Sequence, residues 1–151
     1  MNKGATLPDF TLNDQNGHTF SISEVKGKQP IVIYFYPKNF TPGCVKEACS
    51  FRDAYEDFKA LGAEVIGISA DSDASHQKFA RRYNLPFTLL ADTNNKVREL
   101  FNVQSNFLGL LPGRETFVFD SNATLVYKFE AMGASKHIEK SLAYLKKNSD
   151  G

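Results

Sequence analysis

Continuous apolar runs separated by amphipathic stretches form the most informative pattern in this chain. The run "PIVIYFYP" has β-branched and aromatic residues without a polar break, as expected of a strand buried on both faces. The run "AEVIGISAD" has the same character and predicts a second buried strand. Between them we predict a helix from about Pro42 to Leu61, with Gly62 placed to end it. Its apolar residues recur at spacings of three and four: Cys44, Ala48, Phe51, Tyr55 and Phe58.

Shorter patterns complete the prediction of secondary structure. Two hairpins are predicted, one about Asn16-Gly17 and one about Ser121-Asn122. The segment "FTLLAD" predicts a strand, and three further segments predict helices: "ASHQKFARRYN", "NNKVRELFN" and "SKHIEKSLAYLKK". Strands that alternate with helices, followed by a hairpin and a final helix, indicate an α/β fold. We therefore predict a mixed central sheet flanked by helices, with an N-terminal β-hairpin, as one domain over residues 1–151.

Composition and charge exclude several classes of protein. The chain has 151 residues, 42% of them hydrophobic, and a formal net charge of +1, so nothing indicates a nucleic-acid or anionic-membrane partner. The longest apolar run is too short to span a bilayer, and no secretory signal is recognisable. We expect an intracellular protein or the mature form of an imported one. Asn39 and Asn122 begin glycosylation patterns, which we interpret as chance.

Both cysteines of the chain lie in the segment "TPGCVKEAC". Cys44 and Cys49 are five residues apart, which on a helix means a rise of about 7.5 Å and a turn of about 140°. Their Cα atoms are then roughly 8 to 9 Å apart, beyond the limit of about 7 Å for a disulfide. The two thiols are close in sequence but cannot bond while the helix is wound.

Cys44 is predicted in the first turn of this helix, directly after a buried strand. Such a strand and helix form the thioredoxin-like arrangement, and chemistry gathers at the carboxyl ends of strands in open α/β sheets. A helix N-terminus favours the thiolate, which is the reactive form of cysteine. Pro42 suits a helix start, Gly43 lets the backbone approach a ligand, and Thr41 adds a hydroxyl. The segment therefore predicts a small anion-binding site around a nucleophile.

Three other interpretations of the cysteines compete with this one. Cys44 could be a small buried hydrophobe on the apolar face of its helix. A zinc site would need further ligands, but His18, His76 and His137 lie on different predicted elements. A dithiol exchanger needs C-x-x-C, whereas this chain has four residues between its cysteines, which argues against simple disulfide exchange.

Two segments together resemble one protein family. "YFYPKNFTPGCVKEACSFRD" followed by "PGRETFVFD" is similar to the peroxiredoxin Q type, also called bacterioferritin-comigratory-type peroxiredoxins. The similarity extends from "PDFTL" to the last helix, and "PFTLLAD" and "FLGLLPGRETFVFD" resemble the cyanobacterial and chloroplast branch. The P-x-x-x-T-P-G-C pattern is highly specific, and a second cysteine five residues later marks the subtype. Val45 departs from the family, because many members have Thr there.

The resemblance implies a thioredoxin-like fold and an enzyme that reduces hydrogen peroxide and organic hydroperoxides. Cys44 would be the peroxidatic cysteine and Cys49 the resolving one, joined during turnover by an intramolecular disulfide. Thioredoxin, or sometimes glutaredoxin, would restore the thiols, without a metal, haem or flavin. Two other classes of function remain: a peroxide sensor whose disulfide changes its partners, and a structural domain with inert cysteines.

The resemblance also implies roles for residues around the thiol. Thr41 and Arg114 would complete the peroxide pocket, Gly43 would supply an amide, and Pro37 would shield the thiolate. Without the family, Arg114 would be interpreted as an ordinary arginine at the start of a surface strand. Glu47 could orient Arg114, or it could be only an acidic residue that favours the helix dipole.

Two further expectations concern surroundings rather than chemistry. The apolar segment "FLGLLPG" before Arg114 is either buried packing or the rim of the site. We expect a monomer in a bacterial cytoplasm, with the chloroplast as the alternative if a transit peptide has been removed.

Overall fold

A seven-stranded sheet organises the part of the chain described by this computed structural model, which covers residues 1–103, 105–106, 111–112, 114–130 and 134–149. The strands of this sheet are β1 (Thr11–Asp14), β2 (Thr19–Ser21), β3 (Ile31–Phe35), β4 (Glu64–Ser69), β5 (Thr88–Ala91), β8 (Glu115–Phe119) and β9 (Leu125–Phe129). Two short strands, β6 (Ser105–Asn106) and β7 (Leu111–Pro112), pair with each other outside it.

Four α-helices are described: α1 (Pro42–Ala60), α2 (Asp73–Tyr83), α3 (Lys96–Leu100) and α4 (Ala134–Ser149). A 3₁₀ turn covers Ile22–Glu24. The helix α1 ends as predicted, because Leu61 is its C-cap and Gly62 follows with φ at +74°. Among the described residues, no helix is long and apolar enough to cross a membrane.

The strand order in the sheet is β2-β1-β5-β4-β3-β8-β9. The three central strands β5, β4 and β3 are parallel, whereas β8 runs antiparallel to β3 and β1 antiparallel to β5. The predicted mixed sheet and both predicted hairpins are therefore confirmed. The first hairpin differs in detail from a two-residue turn, because the Gly17 amide donates to the Asp14 carbonyl and the Asp14 amide to the His18 carbonyl. Gly17 has φ at +77°, as expected of the left-handed residue in a three-residue hairpin loop.

The sheet separates two apolar layers. Alternate residues of β3 point to opposite faces, so Val32 and Tyr34 pack with α1 and α4, whereas Ile31 and Ile33 pack with α3 and the N-terminal segment. All five residues of β3 are buried, which agrees with the unbroken apolar run that predicted this strand. The helix α1 lies on the Tyr34 face and begins at the carboxyl end of β3. Of the segment "FLGLLPG", residues 107–110 and 113 lie outside the described residues.

Candidate active site

The first turn of α1 places a thiol beside unpaired backbone donors. Thr41 is the N-cap residue, in an extended conformation with φ at −80° and ψ at 147°, and Pro42 follows at the first helical position. The first bond within the helix runs from the Val45 amide to the Thr41 carbonyl, at 2.9 Å. The amides of Gly43 and Cys44 precede that bond, so they face the space in front of the helix. Cys44 itself is buried, with 1% of its surface exposed.

Arg114 brings a guanidinium to this thiol from a distant part of the sequence. It lies immediately before β8, whose first residue, Glu115, pairs with Phe35 at the carboxyl end of β3. One terminal nitrogen, Nη2, is 3.4 Å from the Cys44 sulfur. The other, Nη1, donates to Glu47 Oε1 at 2.7 Å and to the Gly43 carbonyl at 3.2 Å. One buried guanidinium thus contacts three positions in the first two turns of α1.

Gly43 leaves room for this approach. A Cβ atom at position 43 would lie 3.1 Å from Nη2 of Arg114, tighter than about nine in ten Cβ contacts in proteins. With a larger residue, the guanidinium would have to shift by a few tenths of an ångström. The predicted close approach to the Gly43 backbone is therefore made, in this structure, by an arginine of the same chain.

Glu47 and Arg114 form a buried ion pair. The Glu47 side chain is fully buried and that of Arg114 is 6% exposed. Burial raises the pKa of Glu47 to about 7, and the charge of Arg114 opposes that increase. Within the described part of the chain, Glu47 Oε2 and Arg114 Nε have no hydrogen-bond partner. Of the two sequence interpretations of Glu47, the geometry favours the one in which it orients Arg114.

Thr41 and Pro37 precede the first turn of α1, and neither is described with a hydrogen bond to the Cys44 sulfur. The Thr41 hydroxyl donates its hydrogen to the Lys38 carbonyl at 2.8 Å, closing the turn that leads into α1. Its proton is therefore engaged with the Lys38 carbonyl here, which differs from the expected donor role in the pocket. Pro37 is half-buried between β3 and this turn. Its shielding of the thiolate stays a prediction.

Both cysteines are free thiols, Cys44 buried and Cys49 half-buried. Both lie within the unbroken helix α1. The structure is therefore of the wound, reduced form in which the five-residue spacing keeps the thiols apart.

A buried polar cluster behind the site was missed by sequence reasoning. Asn39 and His76 are 3% and 0% exposed, and they bond to each other, with 2.9 Å between Asn39 Nδ2 and His76 Nδ1. The sequence patterns place Asn39 only in a glycosylation motif and His76 only among candidate metal ligands. His76 lies three residues before the buried Phe79 on α2, and that spacing on an apolar face was the available signal. Among the described residues, no group of three or more His, Cys, Asp or Glu side chains could hold a metal ion.

Comparison with known proteins gives the same family from sequence and from structure. Residues 4–128 match the model of the AhpC/TSA family. "Peroxiredoxin Q, chloroplastic" of Sedum lineare is 54% identical over 147 residues, which cover 96% of this chain and 78% of that protein. The protein of the same name from Arabidopsis thaliana is 53% identical over 148 residues, covering 97% and 68%.

Two solved structures share the fold over nearly the whole chain. Peroxidoxin BcpB from Mycobacterium tuberculosis superposes with a TM-score of 0.89 at 36% identity, covering 97% of each chain. A cysteine-to-serine mutant of PrxQ from Xylella fastidiosa gives a TM-score of 0.91 at 27% identity, covering 99% of this chain and 98% of that one. The α/β, thioredoxin-like fold is thereby confirmed. The predicted bacterial cytoplasmic location is wrong, because the similar curated proteins from plants are named chloroplastic.

Proposed function

Because this chain belongs to the AhpC/TSA family of peroxiredoxins, it is a thiol peroxidase with an antioxidant role, and we propose that Cys44 and Cys49 carry its reaction. The proposed substrates are hydrogen peroxide and organic hydroperoxides. The observation that carries the proposal is the 3.4 Å contact between Arg114 Nη2 and the Cys44 sulfur at the start of α1. A helix N-terminus and a guanidinium both stabilise negative charge at that point.

In the first step, the Cys44 thiolate attacks the terminal oxygen of the hydroperoxide. The S–O bond forms as the O–O bond breaks, so sulfur is oxidised by two electrons to a sulfenic acid. The leaving alkoxide or hydroxide takes up a proton and departs as alcohol or water. Negative charge moves from sulfur to oxygen in the transition state, and the Arg114 guanidinium with the Gly43 and Cys44 amides would stabilise it.

Stabilising the transition state has to supply most of the rate. A cysteine with the ordinary pKa of about 8.5 is roughly 3% thiolate at pH 7, so complete ionisation gains only about 30-fold. Enzymes typically accelerate their reactions by about 10⁶-fold or more. Preorganised donors are therefore the larger contribution. Arg114 is held in place for this purpose by its bonds to Glu47 and to the Gly43 carbonyl.

In the second step, the Cys49 thiol attacks the sulfenic sulfur of Cys44. The S–S bond forms and the sulfenic oxygen leaves as water, so the pair of cysteines supplies the two electrons that reduced the peroxide. This step requires α1 to unwind from about Thr41 to Ser50, because the wound helix separates the two sulfurs. Each hydrogen bond lost costs about 1 kcal/mol net, so the local cost is a few kcal/mol. A disulfide that closes a short loop can offset such a cost.

The proposed reductant is thioredoxin, with glutaredoxin as the alternative, and the proposed state is a monomeric single domain over residues 1–151. The location that we propose is the chloroplast, which is the location in the names of the plant relatives. Neither step requires a metal, haem or flavin.

The test is peroxide consumption in the presence of thioredoxin, its reductase and NADPH. The wild type should turn over repeatedly, and Cys44→Ser should consume no peroxide. Cys49→Ser should consume about one equivalent and then stop as a sulfenic acid or mixed disulfide. An active Cys44→Ser with an inactive Cys49→Ser would reverse the assigned roles. A wild type that oxidised once and did not turn over would instead indicate a sensor.

A further inference from the structure

A closed set of buried hydrogen bonds surrounds Asn39, two residues before the N-cap of α1. The Tyr36 hydroxyl donates to Asn39 Oδ1 at 2.6 Å, and Asn39 Nδ2 donates to the Ser75 hydroxyl at 3.1 Å. His76 Nε2 lies 3.0 Å from the Leu90 carbonyl. A carbonyl can only accept, so Nε2 carries the hydrogen, and Nδ1 accepts from the side-chain nitrogen Nδ2 of Asn39 at 2.9 Å. Burial lowers the pKa of His76, which favours this neutral form.

The backbone around Asn39 is held as well. The backbone N–H of Asn39 donates to Asp71 Oδ2 at 2.9 Å, and the Ser69 hydroxyl donates to the same oxygen at 2.6 Å. From the other face of the sheet, Arg98 Nη2 donates to the Tyr36 carbonyl at 3.2 Å. The partners of the Asn39 side chain and backbone amide lie directly after β3, on α2 and in the loop between β4 and α2. The segment before α1 is therefore fastened to parts of the fold outside that helix.

The residue after Asn39 is strained. Phe40 has φ at +67°, in the left-handed region where a large side chain is rarely found. Its ring packs against Phe79 and Tyr83, with centroids 5.1 and 6.4 Å apart, yet 48% of the residue is exposed. Strain of this kind persists only where the surroundings determine the backbone. Here the fixed point on one side is Asn39, and on the other side Thr41 begins the helix.

We propose that Asn39 is a positioning residue for Cys44, which holds the segment 37–41 in the conformation that the wound helix requires. The wound helix requires Phe40 to keep its unfavourable φ angle. When the Asn39 side chain is removed, an unwound segment allows Phe40 to leave that angle. Loss of this anchor should therefore favour unwinding of the first turns of α1. The inference rests on the proposed function, in which unwinding brings Cys49 to the sulfenic acid of Cys44.

This role changes how an oxidised Cys44 divides between two fates. The sulfenic acid either reacts with Cys49 after unwinding or is attacked by a second peroxide to give a sulfinic acid, with water or alcohol leaving. Faster unwinding speeds the first route and leaves the second unchanged. A weakened anchor should thus make the enzyme harder to inactivate by excess peroxide, whereas a general loss of stability has no reason to do so.

The experiment compares Asn39→Ala, Tyr36→Phe and Leu125→Ala with the wild type. Leu125 is buried on the opposite face of the sheet, so its substitution lowers the melting temperature without touching the anchor. The first measurement is amide exchange of Val45 in the reduced proteins, since that amide makes the first bond of α1. The second is the peroxide concentration at which half of Cys44 becomes sulfinic acid during turnover, followed by intact mass.

For Asn39→Ala, which removes all three side-chain hydrogen bonds of Asn39, we expect both values to rise about tenfold. For Tyr36→Phe, which removes one of them, we expect a rise of about threefold. Leu125→Ala should change neither value. Equal results for Asn39→Ala and the wild type would overturn the inference, as would the same rise in Leu125→Ala. If Asn39→Ala does not fold, Tyr36→Phe decides on both measurements. If the wild type forms no Cys44–Cys49 disulfide, the proposed function fails, and Val45 exchange in the reduced variants alone supports or overturns the positioning role.

Discussion

The two halves of α1 are held by different kinds of interaction. In the second half, Phe51 and Phe58 are fully buried, and the Phe51 ring stacks on Tyr34 with centroids 4.5 Å apart. In the first half, the buried residues are Cys44, Glu47 and Ala48, which bring no aromatic ring to the core, and one arginine adds polar contacts to three positions. Unwinding the second half would expose aromatic surface worth about 1.5–3 kcal/mol for each side chain. Unwinding the first half would not, so the helix can open at the cysteines alone.

The largest effect should come from the aromatic half. We expect Phe51→Ala to lower the free energy of unfolding by about 3–5 kcal/mol, because it leaves a cavity between Tyr34, Phe58 and Phe87. Urea unfolding followed by circular dichroism measures this loss. A loss below about 1 kcal/mol would show that the second half is no more firmly held than the first.

The next effect concerns the arginine that holds the first half. We expect Arg114→Gln to lower kcat/KM for hydrogen peroxide by about 10²–10³-fold, the usual loss when one donor to a developing charge is removed. Stopped-flow measurement of peroxide reduction with thioredoxin gives this ratio. Arg82→Gln is the matched control, since Arg82 is exposed and contacts only the ring of Tyr83 among the contacts described. Equal activity in the two variants would contradict the role of Arg114.

Glu47 should make stability depend on pH in a defined window. Its pKa is raised from 4.5 to about 7 in the folded protein, so between these values the folded state binds more protons than the unfolded state. The contribution of Glu47 to the free energy of unfolding is fully present below pH 4.5. It is lost as the pH rises through 7, by roughly 3 kcal/mol in total. The Gln side chain of Glu47→Gln does not titrate. As the pH rises from 4.5 to above 7, the unfolding free energy of this variant should therefore increase by that amount relative to the wild type.

Urea unfolding at several pH values tests this dependence, with Glu56→Gln as the control because Glu56 is exposed on the same helix. Parallel pH profiles for Glu47→Gln and the wild type would contradict the raised pKa.

The smallest effect is expected at Val45, the position that departs from the family. Val45 is half-buried and packs at the edge of the apolar layer under α1. We expect Val45→Thr to change the free energy of unfolding by less than about 1 kcal/mol, and kcat/KM by less than about threefold, because Val45 is only half-buried and the added hydroxyl lies near solvent. A larger rate change, measured with the same stopped-flow assay, would place this side chain in the reaction rather than in packing.

Local patterns in the sequence were sufficient for most of the fold. The unbroken apolar run predicted β3, the helical spacing and Gly62 predicted α1, and the specific motif placed Cys44 in the first turn. The contact between Arg114 and Cys44, 70 positions apart, could be expected only from the family resemblance, because it depends on the pairing of β8 with β3. No local pattern encodes that pairing.

The buried pair of Asn39 and His76 shows a second limit of sequence reasoning. Its members are 37 positions apart, and each satisfies the other's hydrogen bonds in a way that neither residue suggests alone. A polar residue inside an apolar pattern indicates that a partner exists, but the fold determines which residue that partner is.

Amide hydrogen exchange in the reduced and the oxidised protein tests the difference between the two halves of α1 most directly. In the oxidised protein, the account predicts fast exchange at residues 44–48, with the protection of Phe51–Phe58 and of β3 and β4 retained. An oxidised protein with a Cys44–Cys49 bond and unchanged protection at residues 44–48 would contradict it. So would a disulfide formed mainly between two molecules.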